Sequence, residues 1–344
     1  MTWDEEKRKI LSRFPGVSIV CGTAGGEART EVYGVSDKES GTSVERDTVF
    51  PGCSVSKFVT ALIVMRMQES KMIDIDCKVN DYLRQWKLLT PNGKLSEATI
   101  RSILCHTAGI VDDEDGFCGW RREDPEIRLA DVLDGTTKYN QRPVVAEMPL
   151  GMFFEYSDAG YCVLQQMIED VTGKAYDEAA KEMVFKRLGL SNTFFATPQN
   201  VADYQAKMTT GYDEEGNPIP GRFPVIPDLA ASGLWSTGEE LLTIASEFSL
   251  ALQGKSTFLR RETALEMIKP VEKFTWTGLG VFLEGEETVV SRGWGENGQC
   301  MIKLDVRTGE ICIVMTNANP GVDQADSGIE WLVNHSMTMN KRGN

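Results

Sequence analysis

The rhythm of apolar positions changes several times along this chain. Residues 2–14, TWDEEKRKILSRF, repeat their apolar side chains at helical spacing and predict an amphipathic helix. GVSIVCGTA (16–24) and ARTEVYGVS (28–36) are β-branched or alternating runs around Gly25-Gly26, which predicts a hairpin. VERDTVF (44–50) reads as a short extended piece. Past Pro51-Gly52-Cys53 the pattern is apolar almost all round: Val55, Phe58, Val59, Ala61, Leu62, Val64 and Met65 predict a buried helix over 54–69.

From there to about residue 275 the pattern is mainly helical, with segments expected at 78–86, 98–107, 126–135, 158–173, 175–189, 236–252 and 262–268. The helix at 236–252 has Ser236 or Thr237 as N-cap and Glu239 or Glu240 placed for a capping box. Strand patterns return at 277–284, 287–293, 298–306 and 309–317, the last two joined by a turn at Arg307-Thr308-Gly309, and a helix is expected over 323–338. Strands at both ends and helices between them predict an α+β fold. Its antiparallel sheet, of five or more strands, is built from both chain ends (1–53 and 230–344) and flanked by the terminal helices, and an all-α lobe (54–229) is inserted. An active site belongs in the cleft between the two.

Composition narrows the function. The chain has 344 residues, a net charge of −15 and ordinary hydrophobic (41%) and charged (25%) content, which excludes disordered and fibrous classes. The acidic surface and the absence of a basic run beyond Lys341 and Arg342 argue against nucleic acid and anionic membranes as partners. No stretch approaches a membrane span, and the N-terminus lacks the apolar core of a signal peptide. Eight isolated cysteines without CxxC read as buried free thiols, and the expected compartment is the cytoplasm. No cofactor or metal is expected. With only two histidines, His106 and His335, a His-based triad or metal site has little to draw on.

GCSVSK (52–57) then stands out. Ser54 sits at or near a helix N-terminus, where free N–H groups and the positive dipole end favour an oxyanion. Lys57 lies one turn on, on the same face. Burial lowers a lysine pKa, and a neutral amine beside a hydroxyl serves as its general base. The plain alternative is an ordinary N-cap with a surface lysine. Two further stretches carry candidate chemistry. EYSDAGY (155–161) offers Tyr156 as a second proton handler, against core packing, and Asp158, against a helix N-cap. SRGWGENGQCMI (291–302) gathers Gly293, Gly295 and Gly298 around Trp294, a strand edge that lets backbone approach a ligand, against a hairpin with a packed tryptophan.

Taken in order, these pieces resemble the serine β-lactamase and penicillin-binding protein superfamily, in particular class C β-lactamases, D-alanyl-D-alanine peptidases and family VIII carboxylesterases. SVSK (54–57) matches S-x-x-K, YSD (156–158) sits where the family has Tyr-x-Asn, and WGE (294–296) sits where it has Lys-Thr-Gly, His-x-Gly or Trp-Gly-Gly. TIRSILCHTAGI (99–110) and PDLAASGLWSTGEELLTIA (227–245) resemble further family segments. The resemblance implies an α/β sandwich with an all-α lobe, Ser54 as nucleophile, Lys57 as its proton acceptor and Tyr156 as partner in proton transfer. It implies an oxyanion hole from the Ser54 N–H and a second N–H near Gly298 to Cys300. Asp158, Trp294, Gly295, Asn297, Gly298 and Cys300 are the expected substrate contacts. His106, in the family-like HTAG segment, reads as structural.

Two departures shape the expected activity. Asp158 stands in place of Asn and favours the charged form of Lys57. Trp294 stands in place of the Lys or His that holds a substrate carboxylate. Both point away from efficient β-lactam hydrolysis and towards a small-molecule ester or amide, through an acyl-enzyme on Ser54. A D-amino-acid-specific peptidase of penicillin-binding type, or an acyltransferase using the same intermediate, is the alternative.

Overall fold

The computed structural model describes residues 2–340, with side chains to 337; the basic pair Lys341 and Arg342 lies outside the described residues. In chain order the strands are β1 (Gly16–Thr23), β2 (Ala28–Asp37), β3 (Thr42–Ser43), β4 (Phe50–Cys53), β5 (Phe194–Phe195), β6 (Leu234–Ser236), β7 (Phe282–Leu283), β8 (Thr288–Gly295), β9 (Gly298–Asp305) and β10 (Glu310–Thr316). The helices are α1 (Trp3–Leu11), α2 (Ser56–Glu69), α3 (Ile100–Leu104), α4 (Leu129–Leu133), α5 (Asp158–Thr172) and α6 (Tyr176–Ala180). They continue as α7 (Val201–Tyr204), α8 (Leu229–Ser232), α9 (Gly238–Leu252), α10 (Arg261–Met267), α11 (Gln324–Ser327) and α12 (Ile329–Asn340).

Seven strands make one sheet in the order β3-β2-β1-β10-β9-β8-β7. Its pairings are all antiparallel, and β1 and β10 join the two chain ends with Val17 opposite Thr316 and Thr23 opposite Glu310. A second sheet, β4-β6-β5, lies beside it. The central strands read as almost unbroken apolar runs because both faces are covered. Val17, Ile19, Cys21, Cys312 and Val314 pack with Ile10 of α1 and Leu332 and Val333 of α12. Val20, Ile311, Ile313 and Met315 face the other way, into the main core with Leu241, Ile244 and Phe248 of α9. Helix α2 runs through that core with eleven of its fourteen residues buried.

The α+β architecture is as the pattern predicts, and several elements are shorter than expected. The 78–86 segment is a single turn at Val79–Asp81, because the Asn80 side chain bonds Leu88 and Ser96 backbone and draws the chain into a loop. The 98–107 helix stops at Leu104, followed by His106 in a left-handed conformation (φ 60°). The 277–284 strand contracts to Phe282–Leu283. The 323–338 helix breaks at Gly328 (φ 93°), where a Cβ would lie 2.7 Å from Ile10. The capping box at 237–240 does not close: Thr237 accepts the Glu240 N–H, while the Glu240 carboxylate takes the N–H groups of Ser191 and Asn192. Among the described residues no helix is long and apolar enough to cross a membrane.

Candidate active site

The nucleophile candidate sits at a forced corner. Cys53 ends β4 with φ 47°, a left-handed conformation that β-carbon sterics disfavour, so it persists only under constraint. The constraint is Ser56, whose hydroxyl donates to the Cys53 carbonyl at 2.6 Å and accepts the Leu234 N–H at 2.9 Å. The corner leaves Ser54 in the turn just before α2, half-buried.

Above it runs β8. A Cβ on Gly293 would meet the Gly52 carbonyl at 2.3 Å and the Ser54 nitrogen at 3.2 Å, so only glycine allows β8 to lie against the corner. The glycine seated on Ser54 is therefore Gly293, and the residues leading into it are Ser291 and Arg292 rather than Trp294. Gly295 packs on the Cys53 thiol instead, with a built Cβ 3.0 Å from Sγ. Gly298 and Cys300 do not reach the cavity: β9 is an interior strand between β8 and β10, and its N–H groups serve the ladders on either side. Gln299 turns its N–H to Thr316 of β10 at 3.1 Å, so its β8 partner Trp294 has no ladder bond to β9 and directs its own N–H outwards.

Lys57 is 3% exposed and donates three hydrogen bonds: to Ser54 Oγ at 3.1 Å, to the Ala231 carbonyl at 3.1 Å, and to the Asp158 carboxylate in an ion pair. Burial pulls its pKa down, but the Asp158 carboxylate, with Tyr156 beside it, more than offsets this, and the net shift is upwards. The expectation of a neutral lysine from burial alone is corrected: the carboxylate keeps it an ammonium. Tyr156 is 40% exposed overall, yet its hydroxyl end is enclosed beside Lys57 and Ser54. Burial raises the Tyr156 pKa, Lys57 draws it back, and it stays above the ordinary value, a neutral phenol. The Lys57 ammonium lies 4.7 Å from the centre of the Tyr156 ring.

His106 braces this group. Its ring stacks on Tyr156 at 4.5 Å, its Nδ1 accepts the Ser157 N–H at 3.1 Å, and burial, aided by Lys57, lowers its pKa to about 3. It is therefore neutral and carries its proton on Nε2. The N-cap of α5 is Ser157, not Asp158. Asp112, which the sequence reading passed over in IVDDED, caps the same helix end: it accepts from the Asp158 N–H (2.6 Å), the Ala159 N–H (3.1 Å) and the Ser157 hydroxyl (2.6 Å). Burial and the Asp158 charge raise its pKa. Asp228 lies in the quoted PDLAASGLWST segment but was not singled out. It accepts the Tyr139 hydroxyl at 2.6 Å, leaves Oδ2 without a partner among the described residues, and is pushed up to about 8 by burial and then Asp158.

Ser54, Tyr156 and Asp158 open onto a cavity of about 330 Å³. Phe282, Arg292, Trp294, Asp323 and Gln324 complete its wall. Arg292 supplies a cation that the Trp294 substitution had suggested was missing, but it is engaged by Glu284 at 2.7 Å and lies 3.7 Å from Glu330. Asn297 lies with Trp294 and Gly295 in an adjoining pocket of about 100 Å³. The β8–β9 hairpin reaches across to the 117–121 loop, where Glu296 accepts the Gly119 N–H at 2.5 Å and pairs with Arg121. Among the described residues no cluster of three His, Cys, Asp or Glu side chains is placed to hold a metal ion.

The model of the Beta-lactamase family matches residues 6–334. The chain is 27% identical over 228 residues to penicillin-binding protein 4 of Amycolatopsis lactamdurans, covering 64% of this chain and 57% of that protein. It thus spans little more than half of that relative's length. Its fold is similar to the D-amino acid amidase of Ochrobactrum anthropi SV3 complexed with D-phenylalanine (TM-score 0.77, 19% identity, 99% of this chain and 97% of that one). It is also similar to EstCE1, a hydrolase with promiscuous acyltransferase activity (TM-score 0.72, 21% identity, 92% and 94%). With a family model spanning nearly the whole chain and a matching fold, this protein belongs to the Beta-lactamase family.

Proposed function

We propose that the protein is a serine hydrolase that takes the acyl group of a small ester or amide onto Ser54 and releases it to water. The observation that carries this reading is the Lys57 ammonium bonded at once to Ser54 Oγ at 3.1 Å and to the Asp158 carboxylate. An ammonium cannot accept a proton, and Tyr156 is a neutral phenol. The group able to take up the Ser54 proton is therefore Asp158, reached through Lys57: Nζ first yields a proton to the Asp158 carboxylate, and the amine so formed takes the Ser54 proton as Oγ bonds to the carbonyl carbon. The oxyanion is met by the N–H of Ser54 and by the outward N–H of Trp294. Tyr156 then protonates the leaving alkoxide or amine, its phenolate being stabilised by Lys57, and a proton returns to it from the Lys57–Asp158 pair. Attack by water repeats these transfers and frees Ser54.

A second reading, hydrolysis of D-amino-acid amides or peptides, is favoured by the two carboxylates Asp158 and Asp323 on the cavity wall and by the likeness to the D-amino acid amidase. These carboxylates suit a substrate α-ammonium. An alcohol or amine in place of water would make the same acyl-enzyme a transferase. Paired Arg292 and exposed Trp294 support weak or absent action on carboxylate-bearing β-lactams.

The test is hydrolysis of p-nitrophenyl butyrate. Ser54→Ala abolishes it, and Tyr156→Phe lowers kcat by ~10²-fold or more, the range for a positioned proton donor. Wild-type rates in Ser54→Ala contradict the reading.

A further inference from the structure

Large apolar side chains are unevenly exposed. Ten are prominent among the described residues, and four of them, Leu150, Met152, Phe153 and Tyr156, lie in one seven-residue run. Trp276, another of the ten at 48% exposed, sits across from this run on a separate loop. Between them the aromatic rings are in register. Tyr156 stacks on Phe282 at 6.2 Å, Phe282 meets Phe154 at 6.5 Å, and Phe154 meets Trp276 at 6.0 Å. Phe274 closes the far end against Trp276 at 5.5 Å. Lys273 ties the two loops together through the Gly151 carbonyl at 3.5 Å and the Met152 sulfur at 3.3 Å.

Tyr156 and Phe282, at the near end of this strip, are also walls of the cavity over Ser54. The strip is thus continuous with the candidate site. Tyr156 and Trp276 are exposed and Phe154 and Phe282 are half-buried between them, and apolar surface of this kind is costly in water unless something covers it.

We propose that this strip is the binding track for a long alkyl chain on the acyl side of the substrate, laid from Ser54 past Phe282 and Phe154 to Trp276. The inference rests on the acyl-Ser54 reading and narrows its substrate class from small esters to medium- and long-chain ones. Each methylene that leaves water on such a surface gains up to about fourfold in binding. Only part of each methylene is covered on an open strip, so the expected gain across six added methylenes is at least ~10-fold.

The experiment is a kcat/KM series on p-nitrophenyl acetate, butyrate, octanoate and decanoate, in wild type, Trp276→Ala and Phe154→Ala. Monomeric substrate is kept below its aggregation limit. The expected result is a rise towards decanoate in wild type that collapses in both variants, with acetate hydrolysis changed less than about twofold in Trp276→Ala, whose ring touches neither the reacting atoms nor His106, whereas Phe154 also packs on His106 at 5.7 Å. A flat or falling series in wild type, with Ser54-dependent acetate hydrolysis intact, overturns the track alone. Loss of Ser54 dependence for every ester overturns the catalytic reading instead. Sedimentation of wild type and Trp276→Ala completes the test. An unchanged coefficient is expected, and a dimer that dissociates in the variant shows the strip to be a self-association face and overturns the proposal.

Discussion

Asp158→Asn separates the two possible roles of Lys57. The ammonium is 3% exposed and has one carboxylate in contact. At a charge separation of about 4 Å and an effective dielectric of about 20, the lost attraction is about 4 kcal/mol, some three powers of ten in the proton-binding constant of the amine. Burial, the largest influence on Lys57, then prevails, and the lysine titrates below its ordinary value rather than above it. In the wild type the ammonium persists across the assay range and Asp158 receives the Ser54 proton. In the variant that receiver is gone at neutral pH, so kcat/KM for p-nitrophenyl butyrate at pH 7 falls by ~10²-fold or more. Activity then climbs as pH rises, because deprotonated Lys57 becomes populated and accepts the proton itself. The assay is a pH profile of kcat/KM from pH 5 to 10.5 for both proteins, with circular dichroism confirming the fold. A variant whose rate at pH 7 and whose profile match the wild type refutes the relay through Asp158.

Other consequences are as direct. Gly293→Ala pushes a methyl into the Gly52 carbonyl at 2.3 Å and the Ser54 nitrogen at 3.2 Å; esterase activity should drop by about 10²-fold, since displacing a reacting group by about 1 Å costs that much. Gly295→Ala, 3.0 Å from the softer Cys53 sulfur, should lose less in the same assay. Asp228 has a folded pKa of about 8, above its unfolded value, so its protonated form favours the fold at low pH and that stability is lost as pH rises towards 8. His106, depressed to about 3, works oppositely below pH 6.5, and Glu169, raised to about 7, reinforces Asp228. Urea titrations between pH 6.5 and 8 should therefore show declining stability in the wild type and a flatter trend in Asp228→Asn.

Much of the scaffold was legible because burial and periodicity coincide there. The β1–β2 and β9–β10 hairpins, α2, α5 and α9 all bury residues at the spacing their sequences show. The stretch from 78 to 157 was not, because side-chain to backbone bonds shape it: Asn80 holds the 88–96 loop, Asn140 holds the Val132 and Arg142 carbonyls, and Asp112 holds the start of α5. Such bonds have no period to read. At the site, the structure brings Ser54, Lys57, Tyr156 and Asp158 together as their motifs suggested, and sets His106 behind them. Gly298 and Cys300 were misplaced because strand patterning does not reveal which strand is interior. Arg292 has no motif to mark it beside Trp294, and Gly293 is told from its glycine neighbours only by the fold, in which a Cβ there would meet the Gly52 carbonyl at 2.3 Å and the Ser54 nitrogen at 3.2 Å. The sign of the Lys57 shift depends on what stands against the ammonium, Asp158 first and Tyr156 after it, a contact that spacing along the chain does not reveal.

The central claim is that Ser54 forms a covalent bond with an electrophile. Intact-protein mass spectrometry after incubation with a fluorophosphonate, followed by peptide mapping, tests it most directly. The account predicts a single adduct on the peptide containing Ser54, abolished in Ser54→Ala and slowed in Tyr156→Phe. An unmodified wild-type protein, or an adduct that survives in Ser54→Ala, would contradict it.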